Sequence, residues 1–212
     1  MKNISEYFDK IYCVNLDRRK ERWDECLLEF EKWNIKDVER VSAVDGDNLQ
    51  MKKYSTSMKP GELGLVLTNI NIIKDAKEKK YNSILILEDD VVFTNEINNI
   101  SEYMEKLPND WDMLYFGGNH NTHARGVKPP TVVNDKVCKL HKTYTTHCIG
   151  INKNLFDIIL SVLSSYRHPI DVEYSIMQRI FKIYSFYPAI ALQRVGYSDI
   201  QKGVRDYNWL IK

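Results

Sequence analysis

Cysteine is sparse in this 212-residue chain, and Cys13, Cys26, Cys138 and Cys148 are scattered without a Cys-x-x-Cys pair. Zinc-finger spacing is therefore absent. A disulfide framework is not expected in a chain this long, which makes a reduced compartment the default. Long hydrophobic runs are also missing. No stretch approaches the ~18 apolar residues that span a bilayer. The first ten residues carry Glu6, Asp9 and Lys10 where a secretory signal would have its apolar centre. Neither sign of charge is in excess: Lys+Arg 30 against Asp+Glu 29 leaves a net +1. No global field then draws in nucleic acid or an acidic membrane surface, and any anion binding has to be local. Internal repeats, low-complexity tracts and linkers are absent as well. With 43% hydrophobic and 28% charged residues, these absences describe a soluble, cytoplasmic, single-domain protein with a substantial core.

What is present is an alternation of strand-like and helix-like segments. Ile11-Tyr12-Cys13-Val14-Asn15-Leu16 is an apolar run of strand length. Asp17 is placed to cap a helix whose inward stripe is Trp23, Cys26, Leu27, Phe30 and Trp33. A second strand is expected over 39–44, closed by Asp45-Gly46-Asp47, and an irregular polar loop over 48–60. From Gly61 a helix buries Leu63, Val66, Leu67, Ile70 and Ile73. Ser83-Ile84-Leu85-Ile86-Leu87 has the continuous apolar character of a central strand covered on both faces. It stops at Glu88-Asp89-Asp90 and resumes as Val91-Val92-Phe93. A polar helix over 97–106 and a strand over 112–116 come next. Residues 119–137 form a surface excursion, 144–152 a strand and 155–163 a buried helix. A further helix covers 171–181, and a terminal strand or pair covers 184–193. This alternation argues a mostly parallel α/β sheet, whose ligands sit beyond the carboxyl ends of the strands. That rule points to the residues immediately after Leu16, Leu87 and Phe116.

Three adjacent carboxylates at the end of a buried strand repel one another unless something compensates them. Alternation along an extended segment lets Glu88 and Asp90 grip one cation while Asp89 faces elsewhere. Magnesium or manganese, shared with the phosphates of a substrate, suits such a pair. A solvated acidic turn capping the strand would also account for the cluster. The segment Asp17-Arg18-Arg19-Lys20-Glu21-Arg22 puts four cations at a helix N-terminus, against the macrodipole, and a bound phosphate would remove the conflict. A surface patch neutralised by Glu21, Asp24 and Glu25 is the plainer explanation. Glu62 and Asn69 lie two helical turns apart beside an apolar face, where they line a cleft or are merely exposed. His120 and His123 have loop-like metal spacing without a third ligand, so a loop surface is the expected role. His147 is as consistent with a hydrogen-bonded structural histidine as with a catalytic one. Asp171 is expected as a helix N-cap, a position from which a carboxylate can also deprotonate a hydroxyl. The tripeptide Ser198-Asp199-Ile200 carries no signal by spacing alone.

In their order, several short segments resemble glycosyltransferase family 25, which includes lipopolysaccharide sugar transferases and collagen galactosyltransferases. They are Val14-Asn15-Leu16-Asp17-Arg18-Arg19 with Arg22, then Ala43-Val44-Asp45-Gly46 and Gly61-Glu62-Leu63-Gly64. Ile86-Leu87-Glu88-Asp89-Asp90, Trp111-Asp112-Met113-Leu114-Tyr115, Pro169-Ile170-Asp171 and Ser198-Asp199-Ile200 complete the set. The resemblance implies a GT-A type fold, a Rossmann-like mixed sheet flanked by helices. It would occupy 1–212 as one domain, with a donor-binding half over about 1–118 and an acceptor-side half over about 119–212. It also implies inverting transfer of a hexose from a UDP-sugar, of the UDP-galactose or UDP-glucose type. The acceptor would be a hydroxyl on a glycan, lipopolysaccharide or collagen-like protein. Carried over by position, Asn15, Arg18, Arg22, Asp45, Glu62 and Asp89 would bind the donor. Glu88, Asp90 and Asp199 would hold Mn²⁺ (or Mg²⁺), and Asp171 would be the general base.

The chain departs from the family pattern after Gly61-Glu62-Leu63-Gly64. Where the family often has Cys-x-x-Ser-His, Leu65-Val66-Leu67-Thr68-Asn69 stands here, and an Asn cannot exchange protons. That departure motivates an alternative: a sugar-nucleotide-binding scaffold without transferase activity. A nucleotidyltransferase is disfavoured, because no Gly-rich phosphate loop follows the first strand. The short length and the missing secretory signal lean toward a compact bacterial enzyme. A stand-alone domain of a large DNA virus, in the host cytoplasm or virion, fits equally.

Overall fold

The computed structural model describes residues 2–120 and 127–206. In chain order these form β1 (Lys10–Asn15), α1 (Lys20–Lys32), β2 (Val38–Ser42), α2 (Pro60–Glu78), β3 (Ser83–Glu88) and β4 (Val91–Phe93). Then come α3 (Ile100–Lys106), β5 (Met113–Tyr115), β6 (Thr131–Val132), β7 (Val137–Lys139) and β8 (Cys148–Asn152). The remainder is α4 (Phe156–Leu163), α5 (Ile170–Met177), β9 (Ile183–Phe186), β10 (Ala191–Gln193), β11 (Gly196–Ser198) and β12 (Gly203–Arg205). Among the described residues no helix is long and apolar enough to cross a membrane.

Eight strands make one sheet in the order β2-β1-β3-β8-β5-β9-β7-β6. It is mixed, as the family resemblance implies, and this corrects the mostly parallel sheet argued from the strand–helix alternation alone. β1 runs parallel to β2 and β3, and β5 parallel to β9, whereas β8 is antiparallel to both β3 and β5 and β7 is antiparallel to β9. The parallel block β2-β1-β3 is joined by the helical crossovers α1 and α2. β8 is entered through the irregular segment 140–147, so nothing forces it to run parallel.

Side-chain alternation divides the core between the two faces of this sheet. Ile84 and Ile86 of β3 pack with Leu63, Val66, Ile70 and Ile73 of α2 and with α4 and α5. Leu85 and Leu87 pack instead with Cys26 and Phe30 of α1 and Ile100 and Tyr103 of α3. The expected central strand, covered on both sides, is therefore β3. After Glu88 the chain turns and leaves the sheet, and β4 pairs with β10 in a separate ribbon. Carboxylates cannot be buried in a sheet interior without partners, so the acidic triplet ends the strand at the rim.

Several local expectations are corrected. Leu27 is 47% exposed, because α1 buries only Cys26 and Phe30. Asp17 does not cap α1, which starts after Arg19. Its carboxylate instead accepts from Arg40 and from the Ser42 hydroxyl on β2. The segment 48–60 is not wholly irregular: a one-turn 3-10 helix, Gly46–Asn48, leads into it and another, Met51–Lys53, lies within it. The strand expected over 144–152 is shortened to β8, with Thr145 at φ 70° breaking the extended run. Helix α4 buries Phe156, Ile159 and Leu163 but exposes Asp157 and Ser161, so it is buried on one face only. Residues 196–205 of the tail form the β11–β12 hairpin.

Two of the glycine-bearing segments pack directly on each other. A Cβ on Gly64 would lie 2.4 Å from the Val44 carbonyl oxygen and 3.1 Å from the Gly46 nitrogen. Both neighbours are backbone and cannot swing aside. Gly64→Ala should therefore cost about 2–3 kcal/mol through overpacking. The cost is readable as a lower urea midpoint at unchanged m-value. An unshifted midpoint would mean that the 43–46 loop moves freely off α2.

Candidate active site

The carboxyl ends of β1 and β3 open onto two adjoining cavities. The first takes in about 740 Å³, part of it open to solvent, and is walled by Arg18, Arg22, Asp45, Asp47, Asp199 and Lys202. The second takes in about 1400 Å³, also partly open, with Glu62, Thr145, Asp171, Gln193 and Arg205 on its walls. Arg22, Leu65, Glu88, Asp90, Ser198 and Ile200 line both. Glu88 and Asp90 thus sit where the cavities meet, although the chain turns at Asp90 and does not run extended as the alternation argument assumed.

Asp89 behaves differently from its neighbours. It is buried at 7% exposure. It accepts from Asn15 Nδ2 at 2.7 Å and pairs with Arg22 Nη1 at 2.8 Å, while the Cys26 thiol donates to its carbonyl. Burial outweighs these partners and pushes its carboxyl up to about 6. Asn15 is saturated, because it also donates to the Arg19 carbonyl and accepts from Arg40 at 2.9 and 2.7 Å. It lines neither cavity and serves to hold Asp89.

Glu88 is half-buried and accepts from the Thr146 hydroxyl at 2.5 Å. Burial raises its carboxyl above the ordinary range, and the Asp90 charge raises it further. Arg22 Nη2 lies 3.3 Å from Asp90 Oδ2, but Asp90 Oδ1 is buried with no hydrogen-bond partner. Two crowded carboxylates, one with an orphaned oxygen, make a hard donor set that fits a divalent cation completed by substrate phosphates. Among the described residues no three His, Cys, Asp or Glu side chains converge on a metal site. The reason is that the other local carboxylates are already committed. Asp89 belongs to Arg22 and Asn15. Asp199, expected as a further metal ligand, pairs with Arg18 at 2.7 Å and Arg19 at 2.9 Å. Those two cations hold the Asp199 carboxyl low against its partial burial.

Arg18 also pairs with Asp45 at 2.8 Å, and Lys202 reaches Asp47 at 3.4 Å. The tail hairpin therefore closes over the first cavity through ion pairs. Glu62 lies apart from Arg18 and Asp45. At the first turn of α2 it accepts from the Lys59 N–H and lines the second cavity, as Asp171 does. Asp171 is not the N-cap of α5, a position held by Pro169. It sits in the first turn and accepts from the Val172 N–H at 2.8 Å. Burial raises its carboxyl, assisted by the Glu62 charge.

Asn69 is buried and donates to the Leu65 carbonyl. It reaches only a small recess behind Glu88, so its departure from the family pattern does not touch the wall that carries Asp171. His120 bonds the Thr143 hydroxyl, and His123 lies outside the described residues. His147 is fully buried with Nε2 on the Ala191 carbonyl, the structural alternative. Sequence reasoning named Asp47 only as part of the Asp45-Gly46-Asp47 turn and missed Thr145, Thr146, Gln193 and Lys202, none of which belongs to a local pattern.

The sequence matches the profile described as Glycosyltransferase family 25 (LPS biosynthesis protein) over residues 8–159. It is 31% identical over 130 residues to procollagen galactosyltransferase 2 of Mus musculus, covering 52% of this chain and 21% of that protein. It is 30% identical over 162 residues to the procollagen lysyl hydroxylase and glycosyltransferase of Acanthamoeba polyphaga mimivirus, covering 64% of this chain and 17% of that protein. The chain thus spans about a fifth of the length of these curated relatives. Among solved structures, A197 from STIV superposes with a TM-score of 0.51 at 12% identity, covering 88% of this chain and 85% of that one. At that identity the likeness concerns the fold alone.

Proposed function

The chain belongs to glycosyltransferase family 25, and from that premise we propose that it transfers a hexose from a UDP-sugar to a hydroxyl acceptor, with inversion and with help from a divalent metal. Its GT-A type architecture, a mixed sheet flanked by helices, suits that role. One observation carries the reading: Glu88 and Asp90 line both cavities, between an arginine-bearing cleft and a cavity containing Asp171.

In this reading the first cavity takes the nucleoside diphosphate. Arg18 and Arg22 face its phosphates, and Asp45 faces the nucleoside. Arg18 is held by Asp45 and Asp199, so the diphosphate competes with Asp199 for that guanidinium. Glu88 and Asp90 would hold Mn²⁺ or Mg²⁺, which supplies Lewis-acid neutralisation of charge on the departing diphosphate. Asp89, buried and clamped by Arg22 and Asn15, keeps the turn in place. The second cavity takes the hexose beside Asp90 and, on the Asp171 side, the acceptor. Asp171 takes the proton from its hydroxyl as the oxygen bonds to the anomeric carbon. The bond from that carbon to the diphosphate oxygen breaks, and its electron pair leaves with UDP. Attack from the face opposite the leaving group inverts the centre. The acceptor hydroxyl would be borne by a glycan, a lipopolysaccharide or a collagen-like protein.

A base must be ionised to act, so activity should rise with pH through the Asp171 pKa. Burial places that limb above the ordinary carboxylate range. Asp171→Asn should reduce kcat by about 10²–10⁴-fold while UDP binding persists. The measurement is kcat/KM for UDP release across pH, for both proteins, over a panel of UDP-hexoses and acceptors. A wild-type rate in Asp171→Asn would remove Asp171 from the mechanism. Tight UDP binding without turnover for any pair would instead support the scaffold alternative.

A further inference from the structure

Three buried polar atoms among the residues of the second cavity have no hydrogen-bond partner: Asp90 Oδ1, Thr145 Oγ1 and Gln193 Oε1. Buried polar groups are nearly always paired, so three orphans around one cavity call for an occupant. Asp90 is accounted for by the cation site. Thr145 and Gln193 have no part in the mechanism above.

Each of the two is held in place by its surroundings. Gln193 is 8% exposed at the end of β10, in register with Val91 of β4. Its amide nitrogen lies 3.5 Å from Asp90 Oδ2, which leaves the amide oxygen as the free end. Thr145 has φ 70°, a left-handed conformation in which a β-branched residue is a clear outlier. Such strain concentrates at ligand sites. The next residue, Thr146, donates to Glu88, so the strained turn is tied to the acidic cluster.

The chemistry of the orphans restricts the occupant. An amide oxygen only accepts, whereas a threonine hydroxyl donates or accepts. A ligand satisfying both presents at least one donor, O–H or N–H, and a second polar group close by. Glu62, Glu88, Asp90 and Asp171 line the same cavity and disfavour an anion there. Its three arginines are outnumbered by those carboxylates, and two of them already carry partners, Arg22 with Asp89 and Arg194 with Glu25. An uncharged polyol such as a hexose meets both demands, since each of its hydroxyls donates and accepts.

We propose that Thr145 and Gln193 form the subsite that reads the hydroxyls of the transferred pyranose, beside Asp90. This assignment rests on the UDP-sugar reading and goes beyond it by naming residues that choose the sugar. A site built to bond a hydroxyl discriminates strongly against ligands that cannot supply it, because its own polar groups are then left unpaired.

The test compares the Kd values of UDP, UDP-galactose and UDP-glucose by calorimetry with Mn²⁺, for wild type, Gln193→Leu and Gln193→Met. The second variant covers the case in which the leucine protein does not fold. In wild type, at least one UDP-sugar should bind more tightly than UDP. In the variants that sugar-dependent gain should shrink by about 10-fold, with UDP affinity unchanged. A gain that survives intact for both sugars overturns the assignment, and so does a wild type that binds UDP and both UDP-sugars equally. A wild type that binds none of the three overturns the UDP-sugar reading beneath it. The two failures are therefore distinguishable.

Discussion

Asp90→Ala should lower hexose transfer by roughly 1,000-fold without unfolding the protein. Asp90 stands where the two cavities meet, its Oδ1 is buried without a partner, and it raises the neighbouring Glu88 carboxyl. Such a carboxylate is poorly explained by stability. Its one ion pair, to Arg22 at 3.3 Å, is long, and repulsion from Glu88 offsets it. Removing the side chain should shift folding stability by no more than about 0.5 kcal/mol. Initial rates of UDP release with Mn²⁺, beside urea unfolding of the same preparations, separate the two quantities. Unchanged rates, or loss of rate only in step with unfolding, would reduce the triplet to an acidic strand cap.

Arg22→Leu should be the most destabilising charge removal in the site, by about 3 kcal/mol. Arg22 and Asp89 are both largely buried, with side-chain exposures of 18% and 10%. Deleting the cation leaves Asp89 desolvated with Asn15 as its remaining side-chain partner. A second substitution, Asp89→Leu, should restore most of that stability, since an apolar pair of similar volume replaces a buried ion pair at little cost. It should not restore nucleotide binding, because Arg22 also lines both cavities. A double variant that recovers both properties would make Arg22 purely structural. A single variant as stable as wild type would show that the pair is solvated.

The strands are readable wherever hydrophobic pattern alone decides. Ile84 to Leu87 is apolar without alternation, and β3 is covered on both faces. The turn from a buried strand into three carboxylates marks the site for the same reason. Sheet direction is not readable, because it depends on what connects the strands, and the segment before β8 has no periodicity to interpret. The caps at Asp17 and Asp171 mislead because a carboxylate beside a helix start has competitors that sequence does not show. Ser42 and Arg40 take Asp17, and Pro169 takes the cap of α5.

Ion-pair partners are the least legible. Asp199 is joined to Arg18 from 181 residues away, and Gln193 meets Asp90 across 103. The family match ends at residue 159, so Asp171 and Asp199 rest on short resembling segments together with geometry, and Gln193 on geometry alone. Gly46 and Gly64 are visible as motif letters, but their reason, contact between two backbones, is a tertiary fact.

In the proposed site a nucleoside diphosphate binds at the junction of the two cavities through a cation held by Glu88 and Asp90. Calorimetric titration of UDP, with Mn²⁺ and again with EDTA, tests this. Binding should strengthen by about 10-fold or more with Mn²⁺, and the gain should disappear in Asp90→Ala. Equal affinity in Mn²⁺ and EDTA, or no UDP binding in either, would contradict it.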